Sequence, residues 1–316
     1  MKKITLYIIL LLIPFSCTNG VNDMIGSLVR EVPICVKSDA TVTGDGRGWA
    51  NAYTSIDTAV TNAESGDEIW IAGTFTITGN LTIDEKVHLY GGFNGTESEL
   101  SERDLNNKTV IQGTGHIILN ADGIVLDGFK ISGNTGNRST EALGLASGNS
   151  YVLKNCEFDN NTNTSSYAAD SGGGGALKCL NIVKLELINC TFTGNNTNAG
   201  GVNGGAIWCS SSSLIITGCT FAGNEATGAN GGAIHCKASS DLQINETVFR
   251  DNIAGSNHYG GAISCSAGSV TIADSIFTGN KAGSATAGSG GAIYSESNNI
   301  LQITSTIFNT NSTNGQ

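Results

Sequence analysis

The sequence has only two prolines among 316 residues, and 14 % of it is charged. Scarce proline, with no three-residue glycine period, excludes collagen despite 43 glycines. A disordered chain would be charged and poor in apolar residues, whereas 39 % of this one is hydrophobic. Basic residues are few, 16 against 27 acidic, and the formal net charge is −11. That balance argues against nucleic acid, whose binders cluster Lys and Arg against phosphate. It also disfavours adsorption to anionic lipid. After the N-terminus no apolar run approaches the ~18 residues a membrane-spanning helix needs. Cys-x-x-Cys pairs, phosphate loops, nucleophile elbows and dinucleotide fingerprints are all missing. The sequence therefore implies no cofactor and no metal site. What remains is a folded, turn-dense, β-rich protein with neutral Asn, Ser and Thr on its surface.

The N-terminus carries Lys2 and Lys3, then an apolar run from Ile4 to Phe15, then Ser16-Cys17. A positive segment followed by a short apolar one is a secretory signal. Cys17, preceded by a small residue, sits where a lipoprotein signal places its acylated cysteine, although Pro14 and Phe15 depart from the usual pattern. We expect a signal over residues 1–17, lipidation at Cys17, a linker over 18–34, and attachment to an outer membrane or cell surface through the lipid.

Self-similarity carries the most information. Gly-Gly-Ala-Ile begins at Gly204, Gly231, Gly260 and Gly290, with Gly-Gly-Ala-Leu at Gly174; the steps are 30, 27, 29 and 30 residues. Phe-x-x-Asn begins at Phe158, Phe192, Phe221, Phe249, Phe277 and Phe308, with steps of 34, 29, 28, 28 and 31. Two interleaved motifs thus keep one period near 29. Before each Phe runs an alternating frame such as Leu214-x-Ile216-x-x-Cys219-x-Phe221. Spacing of two puts Leu and Ile on one face of a strand, and the three-residue step must be a bend. Three short strands and three turns account for one period. Such a unit cannot bury its own face, so successive units stack as coils. The phenylalanines are then expected to form an internal stack, and Asn161, Asn195, Asn224, Asn252, Asn280 and Asn311 an amide ladder at a turn.

These two motifs resemble the repeats of the chlamydial polymorphic outer-membrane proteins, over roughly residues 120–316. Upstream, Gly44–Tyr53, Gly66–Ala72 and Leu89–Gly95 resemble the opening coils of such proteins, with Thr54–Ala63 a short amphipathic capping helix. The resemblance implies a single-stranded right-handed parallel β-helix and display at the cell surface, with adhesion or autotransport known for some members. The expected organisation is an N-terminal cap and first coils over 35–120 and a repeat β-helix over 121–316. The sequence stops soon after the sixth Phe-x-x-Asn with no visible polar cap, which is expected of a fragment or of a last coil covered by a partner.

Seven of the nine cysteines fall into two columns. Cys156, Cys190 and Cys219 are continued by Thr247, Ser275 and Thr306; Cys179, Cys209, Cys236 and Cys265 are continued by Ser295. Inter-coil disulfides suit an exported protein, and a metal would want other spacings. Replacement by Ser and Thr favours small inward residues, free thiols acting as small apolar fillers. A further column, Lys178, Trp208, His235, Ser264 and Tyr294, is placed by strand alternation on an outward face, where its aromatics could stack sugar rings or anchor a protein. For catalysis, the repeat region offers only scattered acids; Asp122 and Asp127 could share a coil with Lys130. The expected function is a cell-surface structural or adhesive protein, not an enzyme, whose partner is a glycan or a protein of a host or neighbouring cell. The alternative on the same fold is a polysaccharide lyase or glycosidase, or a glycan-binding module.

Overall fold

The computed structural model describes residues 32–41, 44–136, 141–164, 173–198, 203–283, 289–296 and 300–313. Four all-parallel sheets, one of them beginning only at Thr135, surround one apolar core. Following the chain through one coil, Lys184–Ile188 lies in sheet 1, Thr191–Thr193 in sheet 2, Asn196–Thr197 in sheet 3 and Ile207–Ser210 in sheet 4. Ser213–Thr217 then returns to sheet 1. The four sheets hold ten, nine, seven and eight strands. The expectation of three strands per coil thus misses sheet 3, whose strands span only two to four residues.

Each corner has a physical cause. Between sheets 1 and 2 the residue just before the inward Cys or Thr is left-handed: Asn155, Asn189, Gly218, Glu246, Asp274 and Ser305 all have φ between 47° and 65°. Glycine and the short amides reach this conformation at little cost, so this residue makes the bend in Ile-x-x-Cys. Between sheets 2 and 3 the same role falls to Asn160, Gly194, Gly223, Asp251, Gly279 and Thr310. The glycine pair serves a different need. A Cβ on Gly205 would sit 2.1 Å from the Gly232 carbonyl of the next coil, so only glycine allows that approach.

Identical frames put identical residues in register. Phe158, Phe192, Phe221, Phe249, Phe277 and Phe308 stack with centroid separations of 4.6–5.0 Å. Each asparagine donates its amide to the oxygen of the next, from Asn161 to Asn311, over 2.8–3.0 Å. The same amide oxygens also accept backbone N–H groups from the preceding coil.

One cysteine column differs in character from its expected role as filler. The thiol or hydroxyl of Cys219, Thr247, Ser275 and Thr306 donates to the carbonyl two residues earlier. Each also accepts the backbone N–H of its counterpart one coil before, at 3.1–3.4 Å. The column is a polar ladder that satisfies an N–H beside each bend, which is why Ser and Thr replace Cys there and Val does not. All eight described cysteines are buried thiols outside any disulfide.

At the N-terminal end α1 (Ile56–Asn62) turns Ile56, Ala59 and Val60 into the core, with Ser55 as its N-cap. This is the capping helix expected from the sequence. A second apolar cluster lies outside the coil, where Cys35, Trp70, Ala72 and Phe93 are buried together and Trp49, Tyr90 and Leu100 pack against them. In the last described coil, Ile300, Ile307 and Phe308 are 60 %, 59 % and 46 % exposed.

Candidate functional site

Lys178, Trp208, His235, Ser264 and Tyr294 do form one column, each the register partner of the next along sheet 4. They are not an open binding face. Trp208 is 1 %, Ser264 2 % and His235 5 % exposed, and Lys178 and Tyr294 are half-buried. Strand alternation turns them away from the coil interior, but neighbouring groups then cover them. The Lys178 and Lys237 ammonium groups lie 5.8 and 5.7 Å from the Trp208 ring, their aliphatic stems shielding apolar surface in the usual manner of long cations. Tyr259, from the segment entering the glycine pair, stacks on Tyr294 at 4.5 Å beside Ser264. Cys17 lies outside the described residues.

Two polar atoms in this column are buried without a hydrogen-bond partner, Trp208 Nε1 and His235 Nδ1. Burial, aided by the nearby Lys237 charge, drives the His235 imidazole down to about 4 from its ordinary 6.5. In the unfolded chain that proton binds near 6.5, so between pH 6.5 and 4 the unfolded state holds more protons than the folded one. Stability therefore falls on acidification through that window, by about 3 kcal/mol from this group at full protonation of the unfolded chain. Glu141 acts in the opposite sense. Its desolvated carboxyl is pushed up to about 7 from 4.5, against the weaker opposing pull of a backbone hydrogen bond and Lys178, so its contribution is lost as pH rises from 4.5 to 7. We expect His235→Leu to remove the acid-side loss alone. Urea titrations of both proteins at pH 7 and pH 4.5 check this, and an unchanged pH dependence would contradict the assignment.

The acidic residues considered for catalysis are engaged in structure. Asp127 pairs with Arg103 at 2.7 Å and accepts from Asn155 at 2.7 Å, with both members of the ion pair largely buried. Asp122 accepts the Ser150 N–H at 2.7 Å. Lys130 pairs with Asp159 at 3.0 Å and Glu157 at 3.8 Å. Among the described residues no three His, Cys, Asp or Glu side chains come together as a metal site. Cys35 and Cys179 are poor nucleophiles, because desolvation pushes Cys35 up to about 12 and Cys179 well above its ordinary value.

A concavity lies elsewhere, at the N-terminal end of sheet 2. A groove of about 460 Å³ opens beside Thr74–Ile77, lined by Ser38, residues 54–57 and residues 74–81. No sequence signal marks it, because it is made by the strand that sheet 2 lacks at that end.

The geometry defines a parallel β-helical solenoid whose most regular columns hold coil to coil. Residues 129–300 match the family model described as right-handed β-helix region, more than half of the chain, and the protein belongs to that family. No curated protein and no solved structure matches it.

Proposed function

We propose that this protein is exported, anchored by a lipid on Cys17, and displayed on a cell surface as a rigid structural or adhesive rod without catalytic activity. One observation carries this reading: the residues that recur most strictly are spent on contacts between coils. The Phe stack, the Asn ladder and the Cys/Thr/Ser ladder are buried and satisfy one another. Asp122 and Asp127, the two acids that could share a coil, are tied to the Ser150 N–H and to Arg103, whereas a glycosidase needs a carboxylate pair across the bond it cleaves. The likeness of the Gly-Gly-Ala-Ile and Phe-x-x-Asn repeats to polymorphic outer-membrane proteins supports surface display. A triacylated cysteine would supply the several chains that stable anchoring requires.

The test expresses the full chain and its Cys17→Ser variant in a Gram-negative bacterial host fed a labelled fatty acid. The expected result is label in the full chain, recovery with membranes and digestion by protease added to intact cells. Cys17→Ser should lose the label and the membrane association. An unlabelled, soluble full chain would overturn the anchoring, and protection from external protease would overturn the display.

A further inference from the structure

The N-terminal coil, residues 68–83, presents an end of three sheets. Beyond it sheet 1 continues into Ile34–Lys37, which is itself bridged by Arg47 and Tyr53. The edge of sheet 4, Leu81–Ile83, is packed by α1. The edge of sheet 2 is different. Thr74–Ile77 pairs with Thr109–Gly113 on one side and ends the sheet on the other, where the 460 Å³ groove lies.

Which main-chain groups face the groove follows from the ladder. The Gly73 and Ile77 carbonyls accept from Val110 and Gly115, so residues 73, 75 and 77 bond inward and residues 74 and 76 turn outward, as a parallel ladder requires. The Thr74 N–H reaches Ser38 Oγ at 3.3 Å. The Thr74 carbonyl and the N–H and carbonyl of Thr76 are left aimed into the groove. Natural sheet edges are usually blunted by lysine, proline or a bulge. This one reads Thr-Phe-Thr-Ile and has none of them.

The occupant follows from dimensions and chemistry. At ordinary β spacings a four-residue strand with its side chains fills roughly 600 Å³, a match for an open-sided groove of 460 Å³. Phe75 points into the core and is only 9 % exposed, so the groove has no aromatic platform on which a sugar ring could stack. Its lining mixes hydroxyl and amide groups with the apolar Ile56, Ile77 and Leu81, and Asp57 is the one charged side chain. We propose that this edge is a β-augmentation site that takes an extended, uncharged peptide of a partner protein as a tenth strand of sheet 2. Strand addition of this kind draws its affinity from main-chain hydrogen bonds. As the contact of an adhesin the site rests on the surface reading above, but its affinity for a strand is a property of the purified protein.

The test measures fluorescence anisotropy of a capped, labelled peptide, Thr-Val-Ser-Val-Thr-Val-Ser-Gln, with the purified 316-residue protein. The expected result is saturable binding that Thr76→Pro weakens at least tenfold, roughly the worth of one hydrogen bond. Proline at 76 removes the outward N–H and one exposed hydrogen bond from Gln112 to the Thr76 hydroxyl at 3.4 Å, and edge strands tolerate proline at such a position. The same peptide N-methylated at alternate amides should bind at least tenfold more weakly to the unaltered protein, which keeps the test intact if Thr76→Pro does not fold. No saturable binding, or binding unmoved by both changes, would overturn the proposal. Binding of neutral oligosaccharides that Thr76→Pro abolishes would overturn it as well, in favour of a sugar. A soluble or protease-protected full chain bears only on anchoring and display, so the two proposals fail separately.

Discussion

Replacing Asn224 by leucine is expected to destabilise the fold by about 5 kcal/mol, because four buried partners lose their bonds at once. Asn224 Oδ1 accepts from the Asn195 backbone N–H and from Asn195 Nδ2, both at 3.0 Å. Asn224 Nδ2 donates to the Phe192 carbonyl at 3.0 Å and to Asn252 Oδ1 at 2.9 Å. Asn161, Asn195, Asn224 and Asn252 are fully buried, so water cannot replace what is lost. Each orphaned buried group costs about 1–3 kcal/mol, and a cavity-free apolar replacement recovers only part of that. Total stabilities of domains are about 5–15 kcal/mol, so the loss is a large share of the whole. In a solenoid the damage is local first, since each coil holds mainly its neighbours. Urea unfolding should show the lower stability, and hydrogen exchange should show faster opening at residues 195, 224 and 252 than at the capped N-terminal coil. Full-strength protection in those coils would mean the amide ladder contributes little.

Truncating Phe221 to alanine should cost a similar amount by a different route. The ring is fully buried between Phe192 and Phe249, with centroids 4.6 and 4.8 Å away and planes within 5° of parallel. Removing a core phenylalanine costs about 3–5 kcal/mol through lost transfer energy and the cavity left behind, and each stacked pair adds about 0.5–1.5 kcal/mol. Phe308 provides the internal comparison. It has one stacking neighbour at 5.0 Å and is 46 % exposed, so Phe308→Ala should cost less than half as much. Thermal or urea unfolding of the two variants checks the ratio; equal effects would contradict it.

Much of the fold was legible because its signals are local and repeated. The Phe and Asn positions recur in a fixed frame, so their stacking follows once the period is read, and the resemblance of the upstream segments implied a helix within Thr54–Ala63, where α1 lies. Sheet 3 was not legible, since strands such as Asn196–Thr197 are too short to show alternation. The polar use of Cys219 was hidden because a thiol reads as apolar, although Thr247 and Ser275 in the same column pointed to it. The candidate face of Lys178, Trp208, His235, Ser264 and Tyr294 failed for a different reason. Alternation says which side of a strand a residue takes, and it is silent about Lys237 or Tyr259 returning to cover that side. The Arg103–Asp127 pair, 24 residues apart, and the open edge at Thr76 are likewise products of the assembled coil.

These contacts share one consequence for function. A scaffold needs columns that hold each coil to the next, and an enzyme needs polar groups left free to meet a substrate. The most strictly repeated side chains here, the Phe stack and the Asn and Cys/Thr/Ser ladders, are of the first kind. The most direct test incubates the soluble form, residues 18–316, with a panel of polysaccharides, with and without Ca²⁺, and measures reducing ends and ultraviolet-absorbing unsaturated ends. The account predicts that neither appears above the protein-free control. Sustained release of either product would contradict it and identify the protein as a polysaccharide-degrading enzyme.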